Sequence, residues 1–335
     1  MRFIVGLARL MAGLLILVTA VPAILALFGF VLPPLDLLNH LQLVWFFGTL
    51  IALVLGLLVR GWRWALALAV IGFAASAWTF VPEWLSSLPA RPTANGTVLK
   101  LMTHNVFGLN YDVKRVAAVI AAENPDIVAL QEYFPEQQGL DGLLKPTYPY
   151  AVRCQGGKRA NLGLYSKIPF DREMSEKDCP DSANATQRTA HIIAGFTLAD
   201  GTHFSVMTTH MDWPFPIERQ RQELAAAAAE ATAVIGPLIV VGDFNSTPWS
   251  YAMKGFEAAA GLRRETRNLV TFPELFTVPP RISRDEIVHT APFLPLDQVF
   301  ERGVTVTELH RGPATGSDHL PVVFTFAVAK DQRPS

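Results

Sequence analysis

The first 95 residues of this 335-residue chain carry very little charge, and this feature constrains the fold more than any other. The charged residues there are Arg2, Arg9, Asp36, Arg60, Arg63, Glu83 and Arg91. Three apolar runs, Leu10–Leu32, Leu41–Val59 and Trp64–Val81, each approach the roughly 20 residues that cross a hydrocarbon core. Helices buried in a water-soluble core are the alternative, but three successive runs with so few charges are hard to cover with protein. The sequence therefore predicts three transmembrane helices.

The arginines indicate how these helices are oriented. Two of them precede the first run and two lie between the second and third runs, whereas the loop 33–40 has no Lys or Arg. Because positively charged loops stay in the cytoplasm, three spans place the rest of the chain on the outer side. A cleaved signal peptide in place of the first span would give the same result, since two spans would remain. We therefore expect a multi-pass protein of a bacterial inner membrane with an extracytoplasmic, periplasmic domain.

The remainder of the chain has the composition of an ordinary globular domain. We divide the sequence into a membrane module at 1–81, a linker at 82–97, a domain at 98–328 and a tail at 329–335. After residue 95 there are 23 basic and 27 acidic residues, which gives a net charge of −4. Nucleic-acid-binding domains usually present a basic face instead. The bilayer is the partner expected for the three helices, and no obligate protein partner is inferred.

The two cysteines, Cys154 and Cys179, both lie in the part predicted to be exported. An oxidising compartment permits a disulfide between them. Neither has the histidine neighbour or the CxxC spacing of a catalytic or metal-binding thiol. A disulfide and two free thiols both remain open at this point.

Apolar and β-branched runs alternate with helical patterns along the domain. The predicted strands are 98–106, 127–131, 192–198, 204–208, 238–241, 296–300 and 321–326, and the predicted helices are 113–122 and 217–235. The proline-rich stretch 270–295 predicts a long surface loop near the site. This order predicts an α/β fold in which packed sheets are flanked by helices.

Polar residues stand at the ends of these predicted strands, where a sheet brings side chains to a shared edge. They are Asn105, Glu132, His210, Asp243, Asn245, Asp297, Asp318 and His319. Any one of them alone is more readily explained as a strand-end hydrogen-bonding residue, but six such strand ends in one domain favour a functional site. Carboxylates and an amide oxygen are hard ligands that suit Mg²⁺ or Mn²⁺, and zinc-type His and Cys pairs are absent from the sequence. Glu132 is the best candidate for the principal metal ligand, with Asn105 and Asp318 beside it.

The other members of this set suit catalysis on a phosphate group. His210 and His319 can donate hydrogen bonds to non-bridging phosphate oxygens as charge grows in the transition state. Asp297 is placed to hold His319 in the required tautomer. Asp243 can orient or deprotonate an attacking water, while Asn245 fixes the phosphate.

Six motifs, in chain order, resemble the ordered motifs of the endonuclease/exonuclease/phosphatase superfamily: LMTHNV, ALQE, TTHMD, VVGDFNSTPWS, PLDQVF and GSDHLPV. The resemblance covers about residues 97–327 and is closest to the membrane-attached bacterial members. It implies a four-layered α/β sandwich, metal-assisted hydrolysis of a phosphoester, and the residue roles given above. Some nuclease members also place an arginine near the phosphate, and Arg188 in QRTAHII resembles it. The tyrosine-bearing, basic DNA-contacting segment of the abasic-site nucleases has no counterpart here.

Three functions follow as hypotheses. The first is a phosphodiesterase acting on a lipid headgroup or another small or surface-confined phosphodiester, favoured by the membrane helices, the acidic domain and the aromatic residues Trp213, Phe215 and Trp249 near the motifs. Aromatic residues at such positions more often pack in the core or at its rim. The alternative is an exported metal-dependent nuclease acting on DNA. The third, an inactive membrane scaffold, is disfavoured because every residue of the constellation is present.

Overall fold

The computed structural model describes residues 2–58, 63–88, 90–93, 96–155, 161–175, 179, 190–277 and 287–329. The chain divides into two units, which are described separately below. One unit comprises residues 1–89 together with 247–255. The other comprises residues 90–246 and 256–335. A short segment from the second half of the chain is therefore grouped with the amino-terminal helices.

The first unit is built from apolar helices: α1 (Arg2–Ala26), α2 (Pro33–Asp36), α3 (Gln42–Leu58) and α4 (Arg63–Leu85). The segments 9–30, 33–57 and 63–85 are long and apolar enough to cross a membrane. Many large apolar side chains on these helices, such as Leu10 and Trp78, are exposed, as is typical of helices that face lipid. Helix α4 continues to Leu85, so the first residues of the predicted linker are helical.

Small residues allow these helices to approach closely. A Cβ added at Gly72 of α4 would overlap Ala20 of α1, and one added at Gly48 of α3 would lie 2.6 Å from the Thr19 side chain. Helices α3 and α4 also share a hydrogen bond between Thr49 and Ser76, whose hydroxyl oxygens are 3.0 Å apart. Both features are common in helix pairs packed within membranes.

The second unit contains most of the regular structure that follows the helices. Its strands are β1 (Val98–Asn105), β2 (Ile127–Gln131), β3 (Tyr150–Cys154), β4 (Leu162–Ser166), β5 (Ala190–Thr197), β6 (His203–His210), β7 (Leu238–Asp243), β8 (Arg263–Arg264), β9 (Leu275–Thr277), β10 (Ile287–His289), β11 (Asp297–Arg302), β12 (Val304–Arg311) and β13 (Val322–Val328). The helices are α5 (Val113–Glu123), α6 (Gly139–Leu144), α7 (Ile217–Ala233) and α8 (Tyr251–Ala260), of which α8 begins in the first unit.

Two large sheets face each other in this unit. The first has the strand order β12-β13-β1-β2-β4-β3, and the second has the order β5-β6-β7-β11-β8. Within them β1 and β2 run parallel, as do β6 and β7, whereas the other neighbouring strands are antiparallel. Strands β9 and β10 form a separate hairpin.

The main core lies between the two sheets, where buried side chains such as Leu101, Leu164, Val241 and Phe324 pack together. Helices α5 and α6 cover the other face of the first sheet. Helix α7 flanks the second sheet, where the Arg302 guanidinium donates to the Ala231 carbonyl oxygen over 3.1 Å. The predicted four-layered α/β sandwich is therefore confirmed.

The sequence predictions differ from the structure in several elements. The stretch 270–295 was predicted to be a loop, but it contains β9 and β10, and residues 278–286 between them lie outside the described part. Strands β3, β4, β8 and β12 and helices α6 and α8 were not predicted. Cys154, at the end of β3, forms a disulfide with Cys179, which resolves the alternative that the sequence left open.

Candidate active site

Three predicted site residues form one row across the second sheet. Strand register pairs His210 at the end of β6 with Asp243 at the end of β7, and pairs Asp243 with Asp297 at the start of β11. All three side chains are buried. The His210 Nε2 atom lies 3.5 Å from Asp243 Oδ2. Strand pairing thus brings together residues that are far apart in sequence.

The loop after β7 positions Asn245 beside this row. The Asn245 backbone N–H donates to Asp243 Oδ1 over 2.8 Å, and its side-chain Nδ2 donates to the Met211 carbonyl oxygen over 2.9 Å. Nδ2 also lies 3.3 Å from His210 Nε2. Asn245 has a φ of 46°, a left-handed conformation that is uncommon for a residue other than glycine and concentrates at functional sites.

The first sheet contributes Asn105 and Glu132 from the ends of two parallel strands. Asn105 Nδ2 donates to Asp243 Oδ2 over 3.0 Å and so links the two sheets. Its Oδ1 accepts the backbone N–H of Phe107. Glu132 also has a positive φ, 51°, and its Oε1 lies 3.8 Å from His210 Nε2. Its other oxygen, Oε2, accepts the Gly108 backbone N–H over 3.0 Å.

The loop before β13 completes the cluster with His319 and Asp318. His319 Nδ1 and Asp297 Oδ2 are 2.8 Å apart, and His319 Nε2 lies 3.6 Å from Asp243 Oδ2. The sequence prediction that Asp297 holds His319 agrees with this pairing. The Oδ1 atom of Asp318 is buried and has no hydrogen-bond partner among the described residues.

Burial and the charges of neighbouring residues shift the pKa values of three residues in this cluster. Burial raises the pKa of Asp243 to about 7, an effect that the His319 charge opposes and the Asp297 charge increases. Burial raises the pKa of Asp318 to about 6, with His319 opposing and Glu132 adding to the shift. Burial by itself would lower the pKa of His319, but Asp297 and Asp243 raise it well above its usual value. The neighbouring carboxylates therefore favour the protonated, hydrogen-bond-donating form of His319.

Several supporting residues were missed by the sequence analysis. Thr271 Oγ1 donates to Asp297 Oδ2 over 2.6 Å, although it lies in the stretch predicted to be a loop. Ser317 Oγ donates to the Asn105 carbonyl oxygen over 2.7 Å and accepts the His319 backbone N–H. The motif GSDHLPV contains Ser317, so its position one residue before Asp318 was the available signal. Thr271 carries no comparable signal in the sequence.

Aromatic side chains lie beside the cluster. The Phe272 ring centroid is 4.7 Å from that of His319, and Trp213 packs edge-on against Phe272 with centroids 6.2 Å apart. Trp213 is 49% exposed, so this aromatic wall reaches the surface, and Phe215, two residues further along the chain, is 72% exposed. Arg188, the remaining predicted phosphate ligand, lies outside the described residues.

Two separate sets of residues in the cluster have the chemistry to hold a metal ion. Oxygen and nitrogen atoms of Asp243, Asp297 and His319 lie within 4.8 Å of one another. In that set, however, His319 Nδ1 is already paired with Asp297, and a protonated imidazole is a poor ligand. The predicted set of Glu132, Asp318 and Asn105 offers hard oxygens, including the buried Asp318 Oδ1 atom without a hydrogen-bond partner. These donors fit a divalent cation that prefers oxygen ligands.

A match to a protein family covers the part of the chain that carries this cluster. Residues 102–319, which include the predicted site residues from Asn105 to His319, match the Endonuclease/Exonuclease/phosphatase family. The chain belongs to this family. Members of the endonuclease/exonuclease/phosphatase family are phosphoester hydrolases and generally use a divalent metal.

Relatives within the family include bacterial proteins. The UPF0294 protein of Vibrio cholerae is 32% identical over 136 residues, which is 40% of this chain and 44% of that protein. The chain thus spans less than half the length of that relative. The UPF0294 protein of Vibrio campbellii is 24% identical over 244 residues, covering 69% of this chain and 78% of that protein.

Solved structures show the same fold at low sequence identity. The endonuclease/exonuclease/phosphatase protein from Bacteroides vulgatus aligns with a TM-score of 0.53 and 20% identity, covering 70% of this chain and 100% of that one. D. rerio TDP2, solved with a single-strand DNA product, aligns with a TM-score of 0.54 and 17% identity, covering 69% and 99%. At 17–20% identity these similarities show a shared fold and say nothing about the substrate of this family member.

Proposed function

We propose that this protein hydrolyses phosphodiester bonds with Mg²⁺ or Mn²⁺ while anchored in a membrane. The observation that carries the proposal is the convergence of Asn105, Glu132, His210, Asp243, Asn245, Asp297, Asp318 and His319 at neighbouring strand ends and loops of the two sheets. The set combines oxygen ligands, a buried carboxylate and histidines, which are the groups that hydrolysis of a phosphoester requires.

Glu132, Asp318 and Asn105 would hold the cation. When bound, a divalent cation withdraws charge from a phosphate oxygen and so favours attack on phosphorus. Asp318 Oδ1 supports this assignment because it is a buried oxygen without a hydrogen-bond partner in the described part of the chain. Glu132 Oε2 accepts the Gly108 N–H, which fixes the orientation of the carboxylate.

The protein's own residues have distinct parts in the proposed reaction. Asp243 receives hydrogen bonds from Asn105 and from the Asn245 backbone, so its carboxylate is held in one orientation and can accept a proton from an attacking water. His319, held by Asp297, donates a hydrogen bond to a non-bridging phosphate oxygen, as does His210. Asn245 presents its side-chain amide to the same phosphate. Arg188 is retained as a further phosphate ligand on the basis of the sequence resemblance alone.

For the substrate, we favour a lipid headgroup or another small or surface-confined phosphodiester. Three helices apolar enough to cross a membrane precede the catalytic domain, and the chain after residue 95 is acidic. The aromatic wall of Trp213 and Phe272 beside His319 suits an apolar group next to the scissile phosphate. The Cys154–Cys179 disulfide and the distribution of arginines support an extracytoplasmic site at a bacterial inner membrane.

An exported, metal-dependent nuclease that acts on incoming or environmental DNA is the second candidate. The likeness in fold to D. rerio TDP2, whose structure contains a single-strand DNA product, makes nucleic acid a substrate worth testing. Aromatic faces such as that of Trp213 can also stack on bases. An inactive scaffold is disfavoured because each residue of the constellation is retained.

The test is a substrate panel with the full chain in nanodiscs and Mg²⁺ or Mn²⁺. The panel contains phospholipid vesicles, inositol phosphates, plasmid and single-stranded DNA, and bis-p-nitrophenyl phosphate. Turnover of lipid or small diester, lost in EDTA and in Asp243→Ala, supports the proposal. DNA cleavage with the same controls would establish the nuclease, and no turnover of any substrate would overturn hydrolysis.

Metal binding is tested separately by titrating Mn²⁺ and following its paramagnetic resonance signal. We expect Glu132→Gln to weaken Mn²⁺ binding at least about tenfold, since it removes a charged oxygen ligand. Thr271→Val, which removes only the hydroxyl that donates to Asp297, should leave Mn²⁺ affinity within about twofold. If Thr271→Val weakened Mn²⁺ binding more than Glu132→Gln did, the result would contradict this metal site and favour the set formed by Asp243, Asp297 and His319.

A further inference from the structure

The segment 247–255 begins two residues after Asn245 and groups with the amino-terminal helices. It contains the first turn of α8. The first N–H groups of a helix have no partner within the helix and need acceptors from elsewhere. In this segment two of the acceptors come from the amino-terminal helices. The segment directly follows the loop that carries the proposed catalytic residues.

Asp36, at the end of α2, supplies two of these acceptors. Its Oδ1 accepts the Tyr251 N–H over 2.8 Å and its Oδ2 accepts the Ala252 N–H over 3.0 Å. The third N–H, of Met253, is accepted by Ser250 Oγ within the segment itself. A carboxylate at a helix amino terminus also interacts favourably with the helix dipole. Asp36 therefore caps α8 from 215 positions away in the chain.

Asp36 is itself held in place within an apolar unit. It is 6% exposed, and Asn39 Nδ2 donates to its Oδ1 over 2.9 Å. Gln42 Nε2 in turn donates to Asn39 Oδ1 over 2.7 Å. Buried carboxylates among apolar helices are costly and are found where they serve a function. A carboxylate with this network of donors is fixed in one orientation toward α8.

A second contact lies closer to the catalytic loop. His40 Nδ1 accepts the Thr247 backbone N–H over 3.2 Å. The Tyr251 hydroxyl donates to the Leu27 carbonyl oxygen over 3.1 Å, and the Trp249 ring, which is buried, lies 6.1 Å from the Phe80 ring. The segment is thus held at both its beginning and its middle by residues of the helices.

We propose that Asp36 is a positioning residue for the reaction, with His40 assisting it. Asn245 has a left-handed backbone conformation, which persists only where the surrounding structure constrains it. On one side the Asp243 carboxylate accepts its N–H. On the other side the chain is fixed from Thr247 onward by His40 and Asp36. This role rests on the proposed function, and it gives the amino-terminal helices a part in the reaction besides anchoring.

The test compares the full chain in nanodiscs with Asp36→Ala, Asp36→Asn and the control Ser76→Ala. Ser76 bonds to Thr49 between two helices and does not contact the segment 247–255 through that bond, so it reports general loosening of the helices. The readouts are kcat and KM for bis-p-nitrophenyl phosphate with Mn²⁺, and hydrogen–deuterium exchange of a peptide covering 246–253.

We expect Asp36→Ala to lower kcat at least about tenfold with KM within about twofold, because a misplaced Asn245 amide loses more of its interaction with the phosphate in the transition state than in the ground state. Exchange at Tyr251 and Ala252 should rise in the same variant. Asp36→Asn retains one acceptor oxygen and should restore part of kcat, and Ser76→Ala should resemble the wild type.

Three results would each contradict a different part of this proposal. An active wild type whose Asp36→Ala variant loses protection at Tyr251 and Ala252 but keeps its kcat would overturn positioning and leave the proposed function intact. Unchanged exchange in Asp36→Ala would overturn the cap itself. A wild type without turnover would overturn the proposed function, and the positioning role with it, whatever the exchange result.

Discussion

At the scale of single residues, the candidate site depends on groups that set one another's charge. Asp297 lies 2.8 Å from His319 Nδ1, and both side chains are buried. Thr271 donates to the same Asp297 oxygen. In the proposed reaction Asp297 does not need to contact the substrate, since its part is to orient His319 and to stabilise a positive charge there.

Replacing Asp297 by Asn should therefore reduce kcat by about 10²-fold or more while leaving KM nearly unchanged. The amide keeps the shape of the carboxylate but does not stabilise an imidazolium. Steady-state kinetics on a small diester measure the effect, and Glu308→Gln on the exposed side of β12 serves as the control. Unchanged kcat in Asp297→Asn would contradict the role assigned to the pair.

His104 gives a prediction about stability and pH. It is buried, its Nε2 lies 2.8 Å from Thr315 Oγ1, and burial lowers its pKa to about 3 against the opposing charge of Asp297. Below pH 6.5 the unfolded chain binds a proton that the folded chain does not. The free energy of unfolding should therefore fall as the pH decreases, by up to about 1.4 kcal/mol per pH unit.

His104→Gln removes this titration and should lose less stability than the wild type between pH 7.5 and 5.5. Comparing the two proteins cancels the contributions of the other titrating groups. The midpoint of thermal unfolding in detergent, followed by tryptophan fluorescence, is the measurement. Equal losses in the two proteins would show that His104 is not held neutral by burial.

At the scale of elements, the close contact of β6 and β7 fixes the row of site residues. Gly242 has a φ of 145°, and a Cβ there would overlap the Thr209 carbonyl oxygen. Gly242→Ala should therefore separate the two strands and destabilise the protein by more than about 2 kcal/mol. Gly142→Ala in α6, where a Cβ meets nothing within 4 Å, should be neutral or slightly stabilising.

Denaturant unfolding of the full chain in detergent checks the pair of glycine variants. Similar stability of Gly242→Ala and Gly142→Ala would contradict the strand geometry. Because Gly242 adjoins Asp243, the first variant should also lose activity, but the stability measurement alone decides this prediction.

The sequence predicted elements well where hydrophobic periodicity is local. Strand β2 was predicted with its observed ends, and helix α5 to within one residue at its end, because an apolar run bounded by polar residues marks each. Strand β12 was missed because its alternation of apolar and polar residues is short: it covers the first four residues, and the remaining four are mostly polar and exposed. Strands β9 and β10 are three residues each, too short for a period to emerge.

At the scale of the whole molecule, the residue types of the candidate site and the Asp297–His319 contact could be predicted, but most of the other contacts could not. The motifs identified the polar strand ends, whereas the register that aligns His210, Asp243 and Asp297 depends on long-range pairing. The sequence also gave no reason to connect Asp36 with α8. It was one of two acidic residues in a charge-poor segment, and its acceptor role is visible only after folding.

The proposed topology predicts that the domain bearing Cys154 and Cys179 lies outside the cytoplasm. In intact spheroplasts, externally added protease should digest this domain, and both thiols should resist alkylation until they are reduced. The control is a cytoplasmic protein that stays protected in the same spheroplasts. Protection of the domain, together with free thiols, would contradict the orientation drawn from the arginines.

The most direct test of the central claim is the release of p-nitrophenol from bis-p-nitrophenyl phosphate by the full chain. The measurement compares Mn²⁺ with EDTA, and the wild type with Asp243→Asn, in nanodiscs. We predict turnover that requires Mn²⁺ and falls at least about 10²-fold in Asp243→Asn, since that variant removes the proposed proton acceptor. Turnover that persists in EDTA, or in Asp243→Asn at the wild-type rate, would contradict the assignment of this cluster as the active site.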